Sequence, residues 1–125
     1  MTFGQSLTID VSTGEEDKLM SVEYMEIFVR DLIQRIRMQI HQIEGKDAIL
    51  CDKWGDGVLF GVSCCVLINT SNVSFHTTMR TADSEPSLYL DVFSCSSFQT
   101  DEVIEVIKYY FEDVRVKRTV MTDRF

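Results

Sequence analysis

Residues 58–78 read VLFGVSCCVLINTSNVSFHTT, and this stretch predicts two adjacent strands joined by a short turn. Val58–Ile68 is strongly apolar and rich in β-branched residues, which is typical of a buried strand. Asn69–Asn72 interrupts the run with polar residues that favour turns. Val73–Thr78 then resumes the strand pattern.

The sequence before this stretch predicts a strand, a long helix and another strand. Gln5–Val11 alternates polar and apolar residues, as in a half-buried strand. Apolar residues then recur every three or four positions over Leu19–Ile43, which predicts an amphipathic helix that ends near Gly45. Ala48–Cys51 predicts a short strand, and Lys53–Gly57 a loop, because Gly and Asp dominate it.

The sequence after residue 78 predicts a loop, a strand, a second helix and a last strand. Thr81–Pro86 is polar and contains the only proline. Leu88–Phe93 and Val114–Val120 have strand patterns, and an amphipathic helix with an acidic first turn begins near Thr100. The order β-α-β-β-β-β-α-β predicts an α+β fold, a two-layer sandwich of a largely antiparallel sheet with two helices on one face. The length of 125 residues suits a single domain over 1–125.

Composition and charge exclude several classes of protein. The formal net charge is −8, with 12 basic and 20 acidic residues, which argues against binding nucleic acid. The longest apolar run, Cys64–Ile68, is far shorter than the roughly 20 residues of a membrane span. Met1–Asp10 lacks the basic start and apolar block of a signal peptide. We therefore expect a cytoplasmic protein with neither nucleic acid nor membrane as a partner.

The four cysteines form no metal-ligand pattern. Neither a CxxC pair nor a Cys/His spacing is present, so no metal site is predicted. Cys64 and Cys65 are neighbours whose side chains point to opposite faces of a strand, which argues against a bond between them. Without a secretory signal, free thiols are expected throughout.

Polar residues able to do chemistry lie on or beside the predicted strands: Ser63, Ser71, His76, Thr77 and Cys95. A histidine on a strand and a serine beside a turn are more often structural than reactive. The GxSxG, GxGxxG, Walker and HExxH patterns are all missing, so these residues fit no common hydrolase, nucleotide-binding or zinc-protease motif. The residues by themselves indicate an α+β domain and leave its function open.

Three segments resemble the small prokaryotic-type S-adenosylmethionine decarboxylases. The run Gly61–Thr77 is similar to the core of that family, which reads approximately GVSG, four apolar or small residues, ESH, three residues and HTWPE. Leu90–Cys95, LDVFSC, resembles the family's (I/L)-D-(L/V)-F-T-C strand, and Phe3–Leu7 its opening G-x-H-L strand. The spacing from first serine to second serine to histidine is preserved without a gap, and the resemblance covers nearly the whole chain.

The resemblance implies a self-made pyruvoyl cofactor. Ser71 matches the serine whose hydroxyl attacks the preceding carbonyl, here that of Thr70, and the resulting ester breaks by β-elimination to leave the pyruvoyl group. Ser63 and His76 match the pair that assists this self-cleavage by moving protons. The keto group forms a Schiff base with the substrate amine and accepts the electrons left when CO2 departs. Cys95 matches the acid that reprotonates the product carbon, a role that suits a thiol because ordinary thiols are mostly protonated at neutral pH.

The chain departs from the family pattern beside the cleavage site and in the following loop. Thr70 replaces the family's Glu, and Asn72 replaces the His after the cleaved serine. Thr78–Arg80 replaces Trp-Pro-Glu and begins a longer loop. Because the acidic residue there is expected to bind ribose hydroxyls, Glu85 or Asp83 is predicted to take over that role.

The implied substrate is S-adenosylmethionine, whose adenine is expected to stack on aromatic residues. Trp54 and Phe60 lie in the appropriate stretch, although both fit equally well as packed side chains. The implied protein is a homodimer of cleaved protomers that supplies the aminopropyl donor for spermidine synthesis. Two alternatives stay open. The changes at Thr70 and Asn72 suit an uncleaved relative that regulates a partner decarboxylase, and the altered 78–86 loop suits a pyruvoyl decarboxylase of ornithine or arginine.

Overall fold

The structure is a computed structural model that describes residues 4–69 and 71–124. Within these residues a six-stranded antiparallel sheet and a separate two-stranded hairpin are present. In chain order the strands are β1 Gly4–Ser12, β2 Gln42–Ile43, β3 Lys46–Asp47, β4 Ile49–Gly55, β5 Phe60–Ile68, β6 Ser71–Thr78, β7 Ser87–Ser94 and β8 Arg115–Arg124. The order in the large sheet is β4-β5-β6-β7-β1-β8, so β4 and β8 are its edges.

The helices cover one face of this sheet. They are α1 Glu16–Leu19, α2 Val22–Arg35 and α3 Thr100–Tyr110. Strand alternation buries apolar side chains against them, among them Leu7, Ile9, Val62, Val66, Val73, Phe75, Leu90 and Val92. The helices contribute buried residues that include Met25, Phe28, Leu32, Val103 and Ile107. The predicted α+β two-layer sandwich is confirmed.

The opposite face of the sheet has no helix against it among the described residues. We call it the open face; it carries Asp52, Trp54, Ser63, Cys65, Leu67, Ser74, His76, Tyr89 and Asp91. Several of its apolar side chains are exposed, with Leu67 48% and Tyr89 39% accessible. In residues 4–69 and 71–124, no helix has the length and apolar character needed to cross a membrane.

The first long helix is shorter than the predicted Leu19–Ile43. It begins after Ser21, whose hydroxyl accepts a hydrogen bond from the Tyr24 amide at 3.1 Å. It ends at Arg35, because Arg37 adopts a left-handed φ of 64° and the Met38 amide reaches back to the Ile33 carbonyl at 3.0 Å. The spacing of apolar residues does not reveal a local backbone turn of this kind, so the end of the helix could not be predicted from it.

The residues predicted to finish that helix form the β2–β3 hairpin instead. Glu44 and Gly45 occupy its turn with φ values of 53° and 79°, the left-handed pair that a tight two-residue hairpin needs. Gly45 therefore does not end a helix but forms part of the turn between β2 and β3.

The predicted loop Lys53–Gly57 is largely strand. β4 continues through Gly55, and the actual turn is confined to residues 56–59. The Asp56 carboxylate accepts hydrogen bonds from the Val58 and Leu59 amides at 2.9 and 3.0 Å, which closes this turn.

The expectation of free thiols is wrong for two of the four cysteines. Cys51 and Cys64 are directly opposite on β4 and β5, with their Cα atoms 4.1 Å apart, and form a disulfide. Cys65 and Cys95 are free and exposed. Cys64 is buried while Cys65 faces outward, as predicted for neighbours on a strand. The pairing depends on strand register, which the cysteine spacing does not reveal.

We expect thiol titration of the unfolded, unreduced protein to find only Cys65 and Cys95, and all four cysteines after reduction. The disulfide closes a loop with a sequence separation of 13, so reduction should lower the free energy of unfolding by about 2–4 kcal/mol. Denaturant unfolding with and without reductant measures this change, and Cys51→Ser is the control in which reductant should have no further effect. Four reactive thiols before reduction would contradict the pairing.

Candidate active site

Ser71 and Cys95 meet at one end of the sheet. Ser71 begins β6 and pairs with Ser94, the last residue of β7, so Cys95 follows immediately beyond the pair. The Ser71 hydroxyl donates to the Cys95 sulfur at 3.6 Å. Thr70, the other residue of the predicted cleavage site, lies outside the described residues. The arrangement places a thiol beside the residue that is predicted to become the pyruvoyl group.

Ser63 and His76 form a second pair on the open face. They occupy directly opposite positions on β5 and β6, and Ser63 Oγ lies 2.7 Å from His76 Nδ1. Both side chains are half-buried. At this distance the serine hydroxyl donates to Nδ1 whenever the ring carries its proton on Nε2. The pair can therefore pass a proton between a hydroxyl and an imidazole.

Burial favours the neutral form of His76. The indole of Trp54 stacks on the imidazole, with ring centroids 4.6 Å apart and an interplanar angle of 20°. Loss of solvent lowers the pKa of His76 below the ordinary value for histidine. A neutral ring at pH 7 is able to accept a proton, as a general base must.

The two pairs do not meet within one chain. Ser71 and His76 belong to the same strand, which pairs with both neighbours without a register shift. Five residues of β-strand separate them by about 17 Å, at about 3.4 Å per residue. Their odd spacing also puts them on opposite faces: Ser71 follows the alternation of buried Val73 and Phe75, whereas His76 lies on the open face. A single protomer therefore presents two separate pairs, which we call the half-sites of the predicted active site.

The residues predicted to bind ribose are engaged elsewhere or exposed. The Glu85 carboxylate accepts a hydrogen bond from Ser12 Oγ at 3.1 Å and forms ion pairs with Arg115 at 2.7 Å and Lys117 at 3.9 Å. Asp83 is exposed in the turn that follows β6. Ribose binding by either carboxylate stays a prediction.

The predicted adenine-stacking residues have different surroundings. Trp54 already uses one face of its ring on His76. Phe60 is half-buried at the start of β5, opposite Gly55. Adenine stacking by either side chain stays a prediction. Among the described residues no group of three or more metal-ligating side chains is present.

Sequence reasoning missed Tyr89 and the structural role of Thr77. Tyr89 lies directly opposite His76 on β7 and is 39% exposed, and the two-residue alternation of that strand could have placed it on the open face. Thr77 is fully buried, and its hydroxyl accepts from the Val62 amide and donates to the Leu19 carbonyl, both at 2.8 Å. Only the folded structure reveals these contacts, because they join distant segments.

Comparisons with known proteins identify the family and the fold of this chain. A family model described as S-adenosylmethionine decarboxylase matches residues 5–124. The crystal structure of the adenosylmethionine decarboxylase from Aquifex aeolicus VF5 is similar to this chain, with a TM-score of 0.64 over 98% of this chain and 91% of that one. The two sequences are 15% identical, so this likeness is one of fold. No curated protein matches by sequence.

Proposed function

This chain belongs to the S-adenosylmethionine decarboxylase family, and from that premise we propose that it cleaves itself between Thr70 and Ser71 and then decarboxylates S-adenosylmethionine. The product would supply aminopropyl groups for spermidine synthesis. The observation that carries the proposal is the contact of Ser71 Oγ with Cys95 Sγ at 3.6 Å. It places the Cys95 thiol, which would protonate the product, beside Ser71, which would become the pyruvoyl group.

Self-cleavage consumes one water and no other reactant. The Ser71 hydroxyl adds to the Thr70 carbonyl carbon, the peptide C–N bond breaks and an ester C–O bond forms. Removal of the Ser71 α-proton expels the Thr70 carboxylate, and water then replaces the nitrogen, which leaves as ammonia. The keto group that remains at position 71 supplies the electron sink for decarboxylation.

The half-sites support a homodimer in which each protomer completes the other. Ser71 needs a base, yet its own His76 is about 17 Å away along the strand. The open face carries His76 and the exposed Leu67, and Leu50, which pairs with Cys65 on the same face, is 73% accessible. Such a patch favours association. In the proposed dimer, His76 of the partner subunit and Ser63 of the partner subunit serve Ser71.

One observation favours a second candidate substrate. Because Arg115 and Ser12 already bind the Glu85 carboxylate, ribose hydroxyls would have to compete with them for its lone pairs. Ornithine and arginine have no ribose and avoid this competition. Release of CO2 from carboxyl-labelled S-adenosylmethionine, ornithine and arginine separates the candidates. Release from S-adenosylmethionine alone supports the proposal, and release from neither class overturns both.

We expect Cys95→Ser to retain self-cleavage but to lower kcat for decarboxylation by about 10²-fold or more, because a hydroxyl is a much weaker acid than a thiol. Turnover of the purified, cleaved variant measures the loss. Cys65→Ser is the matched control, since Cys65 is the other exposed free thiol and lies on β5 away from Ser71. Equal turnover by Cys95→Ser and wild type would remove Cys95 from the reaction.

A further inference from the structure

Trp54 is the only tryptophan in the chain, and its indole contacts both His76 and Thr77. It lies near the end of β4 and pairs with Gly61 on β5. Its indole crosses β5 to reach β6, where it stacks on His76, with the ring centroids 4.6 Å apart. The indole N–H donates to the Thr77 carbonyl at 3.0 Å.

Gly61 provides the space for this crossing. A Cβ at position 61 would lie 1.9 Å from the Thr77 carbonyl oxygen and 2.6 Å from the Trp54 indole nitrogen. Both distances are far below van der Waals contact, so a side chain would displace the indole or separate the strands. The glycine at this position is explained by close approach rather than by backbone conformation.

The backbone that anchors the indole is itself fixed by the core. The β5–β6 ladder ends at the Ser63–His76 pair, and beyond it the Thr77 hydroxyl accepts from the Val62 amide. The same hydroxyl donates to the Leu19 carbonyl next to the helical layer. The indole lies on the open face, and its N–H binds the carbonyl of Thr77, a residue whose side chain is anchored on the buried side of the sheet.

We propose that Trp54 is a positioning residue for His76, which it holds against Ser63 and shields from water. The proposal rests on the proposed function only in that His76 assists self-cleavage. Stacking restricts rotation of the imidazole, and the contact of Ser63 Oγ with Nδ1 at 2.7 Å fixes the orientation of the ring. Among the described residues, the polar or ionisable side chains directly opposite this pair are Tyr89 on β7, opposite His76, and Asp52 on β4, opposite Ser63, and Asp91 lies two positions from Tyr89 on the same face.

Two variants of the full chain test the proposal. Trp54→Leu removes the aromatic ring, and Trp54→Phe keeps a ring but loses the N–H. Three properties of these variants are measured. The first is NMR titration of His76, with His41→Gln to assign the two histidines. Because burial lowers the pKa of His76, we expect it to rise towards the ordinary value in Trp54→Leu and to rise less in Trp54→Phe.

The second readout is the rate of self-cleavage as a function of pH. Protonated His76 cannot act as a base, so the rate falls on the acid side of its pKa. In Trp54→Leu we expect this fall to move to higher pH and the maximal rate to drop about tenfold, with partial rescue in Trp54→Phe. Tyr109→Leu, an exposed aromatic on α3, is the control and should match wild type.

The third readout is Trp54 fluorescence, which reports on one site because the tryptophan is single. A stacked imidazolium quenches indole emission more strongly than a neutral imidazole, so emission should fall as His76 is protonated and should lose this step in His76→Gln. If wild type does not cleave itself, the proposed function fails, yet the NMR and fluorescence titrations still decide the role of Trp54.

Unchanged titration of His76 in a folded Trp54→Leu protein would overturn the proposal. So would a variant whose only defect is a raised KM for substrate, because that result makes Trp54 a substrate-binding residue. If Trp54→Leu fails to fold, the smaller change in Trp54→Phe decides by the same criteria.

Discussion

Freshly folded wild-type protein is expected to separate into two fragments on denaturing electrophoresis, residues 1–70 and 71–125, whereas Ser71→Ala should remain one chain. Alanine has no hydroxyl, so neither the ester nor the subsequent elimination can occur, and the effect is complete rather than partial. Intact mass spectrometry of wild type should find a pyruvoyl group at the new N-terminus. In the total mass of the two fragments, one water is gained and one ammonia lost.

Ser74→Ala is the matched control for this experiment. Ser74 lies on the same strand, half-buried on the open face, and no role in the chemistry is proposed for it. It should cleave like wild type, which shows that loss of a β6 hydroxyl alone does not block the reaction. Wild-type chain that stays whole with Ser71 intact would instead support the uncleaved, regulatory relative suggested by Thr70 and Asn72.

The sequence predicts the layers of this fold better than its connections. Alternation in residues 5–11 and 73–78, and the helical spacing within 22–35, correctly separate the sheet from the helices. The early end of α2 depends on the left-handed conformation of Arg37, and the Cys51–Cys64 bond depends on register between strands. Neither is encoded in the period of apolar residues, because both result from backbone geometry and tertiary pairing.

The sequence predicts which residues form the candidate site, but it does not predict which of them lie together. Resemblance to a family identifies Ser63, Ser71, His76 and Cys95 as a set, but it does not say which of them touch. The structure pairs them as Ser63 with His76 and Ser71 with Cys95. The sequence assigns Ser71 to the turn Asn69–Asn72, whereas the structure extends β6 back to Ser71, so residues 71 and 76 of one regular strand face opposite ways.

The largest consequence of this division is complementation between two inactive variants. His76→Ala alone should cleave itself at least about 10²-fold more slowly than wild type, and Ser71→Ala should not cleave at all. When the two are co-expressed, a mixed dimer contains one intact site, formed by Ser71 of the His76→Ala chain and His76 of the Ser71→Ala chain. We expect the His76→Ala chain, marked by a small affinity tag, to be cleaved rapidly in the mixture, as followed by denaturing electrophoresis.

A second mixture controls for dimerisation itself. Ser63 and His76 lie on the same half-site, 2.7 Å apart, so Ser63→Ala and His76→Ala leave a defect in both sites of a mixed dimer. This pair should not restore cleavage, although its subunits exchange as freely as those of the first pair. Both mixtures contain the same His76→Ala chain and differ only in whether its partner carries the substitution at Ser71 or at Ser63. A difference in cleavage between them therefore shows which residues act together across the dimer. If mixed dimers form and the first pair also fails to restore cleavage, Ser71 must find its base within its own chain, and the regular β6 strand that separates them would have to rearrange before the reaction.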